Sequence, residues 1–440
     1  MDTRRRIFAW IIALSFVGLV CGLSSCMETR PPVLDTLRPN QGLQRSATKI
    51  TVLGARLPSR PVFVLANLEH TVTLTNTVWK NEKEVEAVVP ANTPTGRYDL
   101  ILKNEAGEQL GLLGGAFEVL PDALTVYAIE AGQGDATLII SPTGQTMLID
   151  ASREEEVSKV IELLQFLRIQ KLDHVIATHY DADHVGGFEK LFKGRDGIVD
   201  TADDVVPLKK IWDYGGWSKN PGYAAARNRF PKLHQVLDGK DKNSFPTISL
   251  GGDVEVEVRV ANGVIKKKDG SLTSISCGNE ANCKSIGVMV KYGKFRFWTA
   301  GDLTGGGNGT PDVETKLSAE LPKVDVYRAH HHGSKTSSNS LFMRAIEPQV
   351  VLISSGTDNT YCHPHAEVLQ RYLSISQVWI LVTSAGIAQK EKCGDPTKTR
   401  ISRIGNRGVV SAGNIRIVAE KEKFILSLDG HPEPYRFDVR

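Results

Sequence analysis

The chain lacks a dominant charge: 53 Lys and Arg face 50 Asp and Glu, and the formal net charge of the 440 residues is +3. Such a balance gives no overall basic field for coating nucleic acid, and local runs such as Lys266–Lys268 are best taken as loop charges. Cysteine is scarce at 6, and no tight second pair accompanies Cys277 and Cys283, which argues against a thiolate metal site. No internal repeat is evident, which excludes a solenoid, and a 41% hydrophobic content excludes long disorder. Long apolar runs are missing too, apart from residues 7–20. That run follows Arg4, Arg5 and Arg6, is short for a membrane span, and has the charged-then-apolar pattern of a secretory signal. Export is therefore expected.

Leu23-Ser24-Ser25-Cys26 resembles the lipobox of bacterial lipoproteins. The resemblance implies removal of residues 1–25 as a signal peptide, lipid on Cys26, a short linker over 26–30, and an extracytoplasmic, membrane-anchored lipoprotein on an unspecified membrane face. An ordinary signal peptide, or an uncleaved anchor, with Cys26 as an incidental thiol is the alternative. With Cys21 removed and Cys26 lipidated, Cys277, Cys283, Cys362 and Cys393 remain in a compartment that permits disulfides. Cys277–Cys283 and Cys362–Cys393 is the most economical pairing.

Residues 48–53, 61–65, 70–74, 84–89, 97–102 and 116–120 are short β-rich runs separated by turn formers, without a useful helical period. They predict a small β-sandwich. Within it, residues 33–42 (VLDTLRPNQG), Ile50-Thr51-Val52-Leu53-Gly54, Val89-Pro90 and Gly96-Arg97-Tyr98-Asp99-Leu100 resemble an immunoglobulin-like IPT/TIG domain over 31–120. Such a domain implies a spacer, or a module for a cell-surface protein or glycan.

From about residue 121 to 440 the pattern becomes α/β, closing with a β-rich C-terminal extension. Val157, Val160, Ile161, Leu164 and Leu167 predict an amphipathic helix over 155–167, and further helices are predicted at 188–192, 341–346 and 366–372. Residues 213–232 have weak periodicity and are expected as loop. Strands are expected at 124–129, 136–140, 146–150, 172–178, 254–261, 285–292, 295–299, 324–328, 349–353, 379–382 and within 414–429.

Chemistry concentrates where the strand at 172–178 runs into His179-Tyr180-Asp181-Ala182-Asp183-His184. Apolar sequence leading directly into that many titratable groups is costly to fold unless their polar atoms find strong partners, and a metal supplies them. Two more donors follow strand-like runs: Asp302 after Thr299-Ala300-Gly301, and the run His330-His331-His332-Gly333-Ser334. Nitrogen and oxygen donors in this mixture suit a two-metal site.

These residues resemble the metallo-β-lactamase superfamily, whose pattern is His-x-His-x-Asp-His followed by distant His, Asp and His; here Asp181 stands where the second histidine is usual. The resemblance narrows to the C-terminal hydrolase domain of the ComEC/Rec2 competence-channel family, through Gly132-Gln133-Gly134-Asp135-Ala136, Gly301-Asp302, His331-His332-Gly333-Ser334 and His363-Pro364-His365. It implies an αββα sandwich preceded by the small immunoglobulin-like β-sandwich. It also implies His179 and Asp181 on a first metal, Asp183, His184 and His331 on a second, and Asp302 between them. His331 is preferred to His330 or His332 by alignment. The third histidine of the first metal has no counterpart, since Asn279, Asn282 and Ser285 occupy its region. The added carboxylate hardens the site, so one or two divalent ions are expected, manganese or zinc, with magnesium also compatible.

Around this centre, Asp135 is expected either to support a ligand histidine or to stabilise its turn. Ser334 and the donors through Ser338 are expected to hold a phosphate, with Lys335 adding positive charge, or else Ser338 or Asn339 to cap a helix before Leu341. Asp183, Lys335 and His363 are the catalytic candidates; the resemblance implies His363 as the group that protonates or orients a leaving oxygen or supplies a late metal contact, while His365 is assigned a structural role. The expected reaction is metal-assisted hydrolysis of a phosphodiester, DNA being the foremost substrate. Cleavage of a β-lactam, lactone or thioester is the first alternative, and a catalytically weak surface-binding lipoprotein the second.

Overall fold

A computed structural model describes residues 30–440 except 45–46, 121, 195, 200, 202, 217, 357–358, 385–407, 411–412 and 430–433. The signal, the lipobox with Cys26, and Cys393 lie outside the described residues. No helix among the described residues is long and apolar enough to cross a membrane.

Alternating sequence makes the first unit. Glu84–Val89 and Gly96–Lys103 bury every second side chain, as a two-residue period requires when one sheet face meets a core. One sheet orders Val33–Arg38, Thr48–Ala55, Glu84–Val89 and Thr75–Asn81. The other orders Gln41–Leu43, Gln109–Leu120, Gly96–Lys103, Val62–Ala66 and Thr71–Thr73. Ile50, Val52, Phe63, Tyr98, Leu100 and Phe117 fill the space between them. The Tyr98 hydroxyl donates to the Pro94 carbonyl at 2.7 Å, so the large ring is buried without an orphaned polar tip. This unit is compatible with an immunoglobulin-like domain. Its last strand begins at Gln109, well before the predicted 116, because Gly111, Gly114 and Gly115 hide an alternation that pairing with Gly96–Lys103 enforces.

The second unit has four layers. Its first sheet orders His234–Val236, Val206–Asp213, Lys171–Ile176, Thr146–Ile149, Thr137–Ile140, Leu124–Ala128, Ile415–Ala419, Lys423–Leu428 and Tyr435–Asp438. The second sheet runs from Leu272–Ser274 through Val264–Lys266, Val254–Ala261, Gly287–Tyr292, Phe295–Thr299, Val326–Arg328, Val350–Ile353 and Trp379–Val382 to Gly408–Val410. Val126, Ile149, Ile176, Val256, Val288, Phe297 and Leu352 form the shared inner core, drawn from both sheets.

Helices cover the outer faces. Val157–Phe166 buries Val157, Val160, Ile161, Leu163 and Leu164 against the first sheet, each worth about 1.5–3 kcal/mol of apolar burial before entropy is counted. Ser340–Ile346 and Ala366–Leu373 cover the second sheet. The result is a β-rich helix–sheet–sheet–helix sandwich with few helices.

Two differences from expectation have clear causes. Residues 213–232 contain the helix Pro221–Asn228, whose periodicity is weak but whose start is marked: Asn220 caps it by accepting from Tyr223 N–H at 2.8 Å, and Pro221 occupies the first turn. The C-terminal strands are integral to the first sheet, with Ile415–Ala419 pairing antiparallel to Leu124–Ala128. Such long-range pairing has no local signature. Cys277 and Cys283 are bonded as expected, and Cys362 is also disulfide-bonded.

His174 lies inside the strand Lys171–Ile176, 7% exposed, with its Nδ1 accepting from Trp212 Nε1–H at 3.3 Å. Burial, aided by the Lys209 charge, pushes its pKa down from 6.5 to about 4. The unfolded chain takes up this proton below about 6.5 and the folded chain resists until about 4, so folding stability falls as pH drops through that window. Urea midpoints measured between these pH values should decline more steeply for the parent than for His174→Gln; parallel declines would contradict this assignment.

Candidate metal centre

The strand Lys171–Ile176 delivers Ala177, Thr178 and His179 to its carboxyl end, where the chain turns at Asp181 into the single helical turn Ala182–Val185. That turn points Asp183 and His184 back toward His179, and both imidazoles are fully buried. The neighbouring strand Thr146–Ile149 ends at Asp150, whose carboxylate accepts from Thr178 N–H at 2.8 Å, Thr178 Oγ1–H at 2.7 Å and His184 Nδ1–H at 2.8 Å. Thr178 Oγ1 spends its proton on Asp150, so it accepts from His179 Nδ1–H at 3.2 Å. One carboxylate thereby sets both rings in the tautomer that presents Nε2 as a lone pair.

Both lone pairs face Asp302. This residue follows the strand Phe295–Thr299 across Ala300 and Gly301 and is 3% exposed. Gly301 has φ of +49°, and a Cβ there would stand 2.3 Å from Thr178 Oγ1, so a glycine is needed for the two loops to approach. The Asp302 oxygens divide the surroundings. Oδ1 lies 3.0 Å from His184 Nε2 and 3.7 Å from His332 Nε2, while Oδ2 lies 3.9 Å from His179 Nε2 and 3.5 Å from His331 Nε2. Asp183 Oδ2 is 3.4 Å from His332 Nε2, and Asp181 Oδ2 is 3.6 Å from His179 Nε2.

The histidine run reaches the centre by an unusual backbone path. His331, His332 and Gly333 have φ of 51°, 53° and 77°, all left-handed. For the two histidines this conformation costs on the order of 1–3 kcal/mol each, a cost that persists only where the surroundings fix it. It turns His331 and His332 to opposite oxygens of Asp302. His330 points into the core instead: its Nδ1 donates to Glu314 at 2.7 Å and its Nε2 accepts from Trp298 Nε1–H at 2.9 Å. The Glu314 carboxylate also accepts the Ser338 and Asn339 N–H groups, each at 2.6 Å, and so fixes the chain after the histidines.

His179 Nε2, His184 Nε2, His332 Nε2 and Asp302 Oδ1 are buried without a hydrogen bond of acceptable geometry. Each such atom costs about 1–3 kcal/mol unless something satisfies it. Lone pairs opposed to a carboxylate call for a cation between them. Sets of donor atoms close enough to share one ion are formed by His179, His184 and Asp302, and by Asp183, His184 and His332. The residues fit divalent metal, and imidazole mixed with carboxylate admits several ions.

Electrostatics agree with this geometry. Burial opposes charge on Asp302, but His331, His184 and His332 outweigh it and hold its carboxyl well below the usual range. Burial likewise opposes charge on His184, yet Asp302 and Asp150 on either side raise its pKa well above 6.5. Burial and then His332, His331 and His365 hold His363 down to about 2, so its ring is neutral at pH 7.

The remaining expected residues take distinct positions. Asp135 hydrogen-bonds Arg328, from Nη2 at 2.6 Å and Nε at 3.2 Å, and its own N–H donates to the Asp183 carbonyl at 2.9 Å. Burial pushes its pKa up, but Arg328, His332 and His184 hold it down to about 2. Ser334 meets Thr336 Oγ1 at 3.0 Å, and that hydroxyl meets His331 Nδ1 at 3.2 Å. His363 stacks on His332 with 5.9 Å between centroids. Lys335 is exposed, its N–H donating to His365 Nδ1 at 3.2 Å, and no contact between its ammonium and the His/Asp cluster is found among the described residues. Sequence reasoning missed Asp150, Glu314 and Arg328. Asp150 had one signal, an acidic residue directly after an apolar strand.

Residues 129–251 match the Metallo-beta-lactamase superfamily. The chain is 27% identical over 270 residues to "ComE operon protein 3" of Bacillus subtilis, covering 56% of this chain and 30% of that protein. It is 26% identical over 251 residues to "Recombination protein 2" of Haemophilus influenzae, with 56% and 26% covered. It is 23% identical over 257 residues to "Competence protein ComA" of Neisseria gonorrhoeae, with 58% and 30% covered. The matched part is thus under a third of each relative's length. A solved structure of unknown function from Bacteroides thetaiotaomicron aligns over 28% of this chain and 37% of its own, at 10% identity and a TM-score of 0.19, too low to bear on the fold. The superfamily match and the donor clusters are consistent with a metal-dependent hydrolase domain, related at low identity to competence proteins.

Because Asp150 fixes both ring tautomers, Asp150→Ala should weaken divalent-metal binding by about 10- to 100-fold. Competition with a chromophoric chelator measures this, with circular dichroism confirming the fold; unaltered affinity in a folded variant would refute the role.

Proposed function

We propose that this chain is a metal-dependent phosphodiesterase acting on DNA outside the cytoplasm, held at a membrane by lipid on Cys26. The observation carrying the proposal is the division of donors about Asp302. On the Oδ2 side, His179, Asp181 and His331 would hold one ion; on the Oδ1 side, Asp183, His184 and His332 would hold another. This assigns His331 to the first ion, where a third histidine was missing, and gives the second ion His332. The left-handed path through both residues is the physical reason for the reassignment. Manganese and zinc suit the donors best, and magnesium is compatible.

Bound ions of this kind supply a nucleophilic water at neutral pH and neutralise nonbridging phosphate oxygens. The chain's own residues do the rest. Asp150 and Thr178 keep the ligand rings oriented, Asp135 and Arg328 hold the Asp183 loop through the Asp135 N–H, and Thr336 steadies His331. Neutral His363, stacked on His332, orients the departing oxygen by hydrogen bonding, and solvent supplies the proton. Lys335 is exposed beside this segment and contributes long-range attraction for a polyanion.

Support for DNA as substrate comes from the names of the relatives, two of which are a competence protein and a recombination protein. The superfamily name equally recommends a parallel test of β-lactam, lactone and thioester hydrolysis. Labelled single- and double-stranded DNA should be cut by the parent with manganese or zinc, and not after chelation. Asp302→Ala and His332→Ala should each reduce the rate by more than about 100-fold, beyond the effect of an outer hydrogen-bond partner. Hydrolysis of carbonyl substrates without any divalent-dependent phosphodiester cleavage would overturn the proposal.

A further inference from the structure

A cleft of about 730 Å³ opens beside Asp181, at the Oδ2 side of the centre. One wall is the segment carrying Tyr214 and Lys219 after the strand Val206–Asp213. The other carries Asn279, on the loop closed by the Cys277–Cys283 disulfide, and Lys284 directly after it, and that loop touches the centre where Asn282 Nδ2 approaches His331 Nε2 at 3.5 Å.

Besides two carboxylates, Asp181 at the metal centre and Asp238, the lining has a cationic and an aromatic character. Lys219, Lys240 and Lys284 bring positive charge. Lys240 is paired with Asp238 at 2.6 Å, but no ion pair engages the ammonium of Lys219 or Lys284 among the described residues. Tyr214 supplies an aromatic surface. Its ring is backed by Tyr180 at 4.3 Å between centroids, and Tyr180 is itself held by its hydroxyl donating to the Gly215 carbonyl at 3.0 Å and by packing on Tyr223. A half-buried, braced aromatic beside unpaired lysines has the make-up of a surface that stacks a base and tracks a phosphate backbone.

We propose that this cleft binds an unpaired nucleic-acid strand leading into the metal centre, with Tyr214 stacking a base and Lys219 and Lys284 contacting phosphates. This deepens the phosphodiesterase reading and rests on it for the strand's destination. Single strands are favoured because a base must leave its duplex stack to lie on Tyr214. The Cys277–Cys283 disulfide ties down Asn279 inside its loop and Lys284 directly after it, across the cleft from the tyrosine.

Fluorescence anisotropy of labelled oligothymidylate, measured on the whole chain in chelator so that nothing is cut, tests the cleft. Lys219→Ala with Lys284→Ala should weaken binding about 10-fold at low salt and lower the slope of log K against log salt by roughly 1.4, about 0.7 per phosphate contact. Tyr214→Leu should weaken oligothymidylate by about 5-fold or more while leaving inorganic polyphosphate binding unchanged, since only the former has a base to stack. Lys219→Glu, at an exposed position, guards against misfolding of the double variant. Parental affinity and salt slope in folded lysine variants would overturn the cleft assignment, as would equal loss of both ligands in Tyr214→Leu. Hydrolysis of bis(p-nitrophenyl) phosphate by the metal-loaded parent, a substrate too small to need the cleft, reports on the phosphodiesterase reading separately.

Discussion

A single buried carboxylate, Asp302, faces four imidazoles, two at each oxygen, and the rest of the site is arranged to keep it there. Without a cation, the arrangement opposes lone pairs to negative charge at atoms that are themselves buried. Protons can relieve part of this, as the raised pKa of His184 shows, but they leave buried donor atoms without geometrically sound hydrogen bonds. Divalent ions would satisfy these atoms together, and their binding energy would then add to folding energy. The sandwich keeps the arrangement intact by carrying each donor on a loop at the end of a buried strand.

The support is as specific as the ligands. Asp150, at the end of the neighbouring strand, decides the tautomer of His184 directly and of His179 through Thr178 Oγ1. Glu314 removes His330 from the centre and braces the backbone beyond it, which allows His331 and His332 to hold left-handed conformations. Fully buried Arg328 places a fixed positive charge behind Asp135, whose N–H in turn holds the Asp183 carbonyl. Gly134 permits that contact, because a Cβ there would lie 2.6 Å from the Asp183 oxygen. Acids and bases thus alternate outward from the candidate metal-binding side chains into the core.

Much of this was legible in the chain. The run from apolar 172–178 into His179 and His184 pointed to a strand end and to a cluster of metal-type donors, and the structure brings Asp302 and the histidine run to that same cluster. Periodicity located Val157–Phe166 and Ser340–Ile346 closely. What escaped depended on geometry that no local pattern encodes. Three consecutive histidines differ only in the backbone angles that aim them, so which Asp302 oxygen His331 and His332 each face needed coordinates. Asp150 looks like any acidic residue after a strand until Thr178 and His184 surround it. Glu314 lies in a region of Gly, Pro and Asn where nothing marks a buried acid, and the pairing of Ile415–Ala419 with Leu124–Ala128 spans almost the whole second unit.

The central claim is that Asp302 bridges two cations, each completed by a different histidine of the 331–332 pair. Anomalous diffraction from crystals grown with manganese tests it most directly. The account predicts two peaks, one at each Asp302 oxygen, the first bounded by His179, Asp181 and His331 and the second by Asp183, His184 and His332. A lone peak shared by His331 and His332, or none within reach of Asp302, would contradict it.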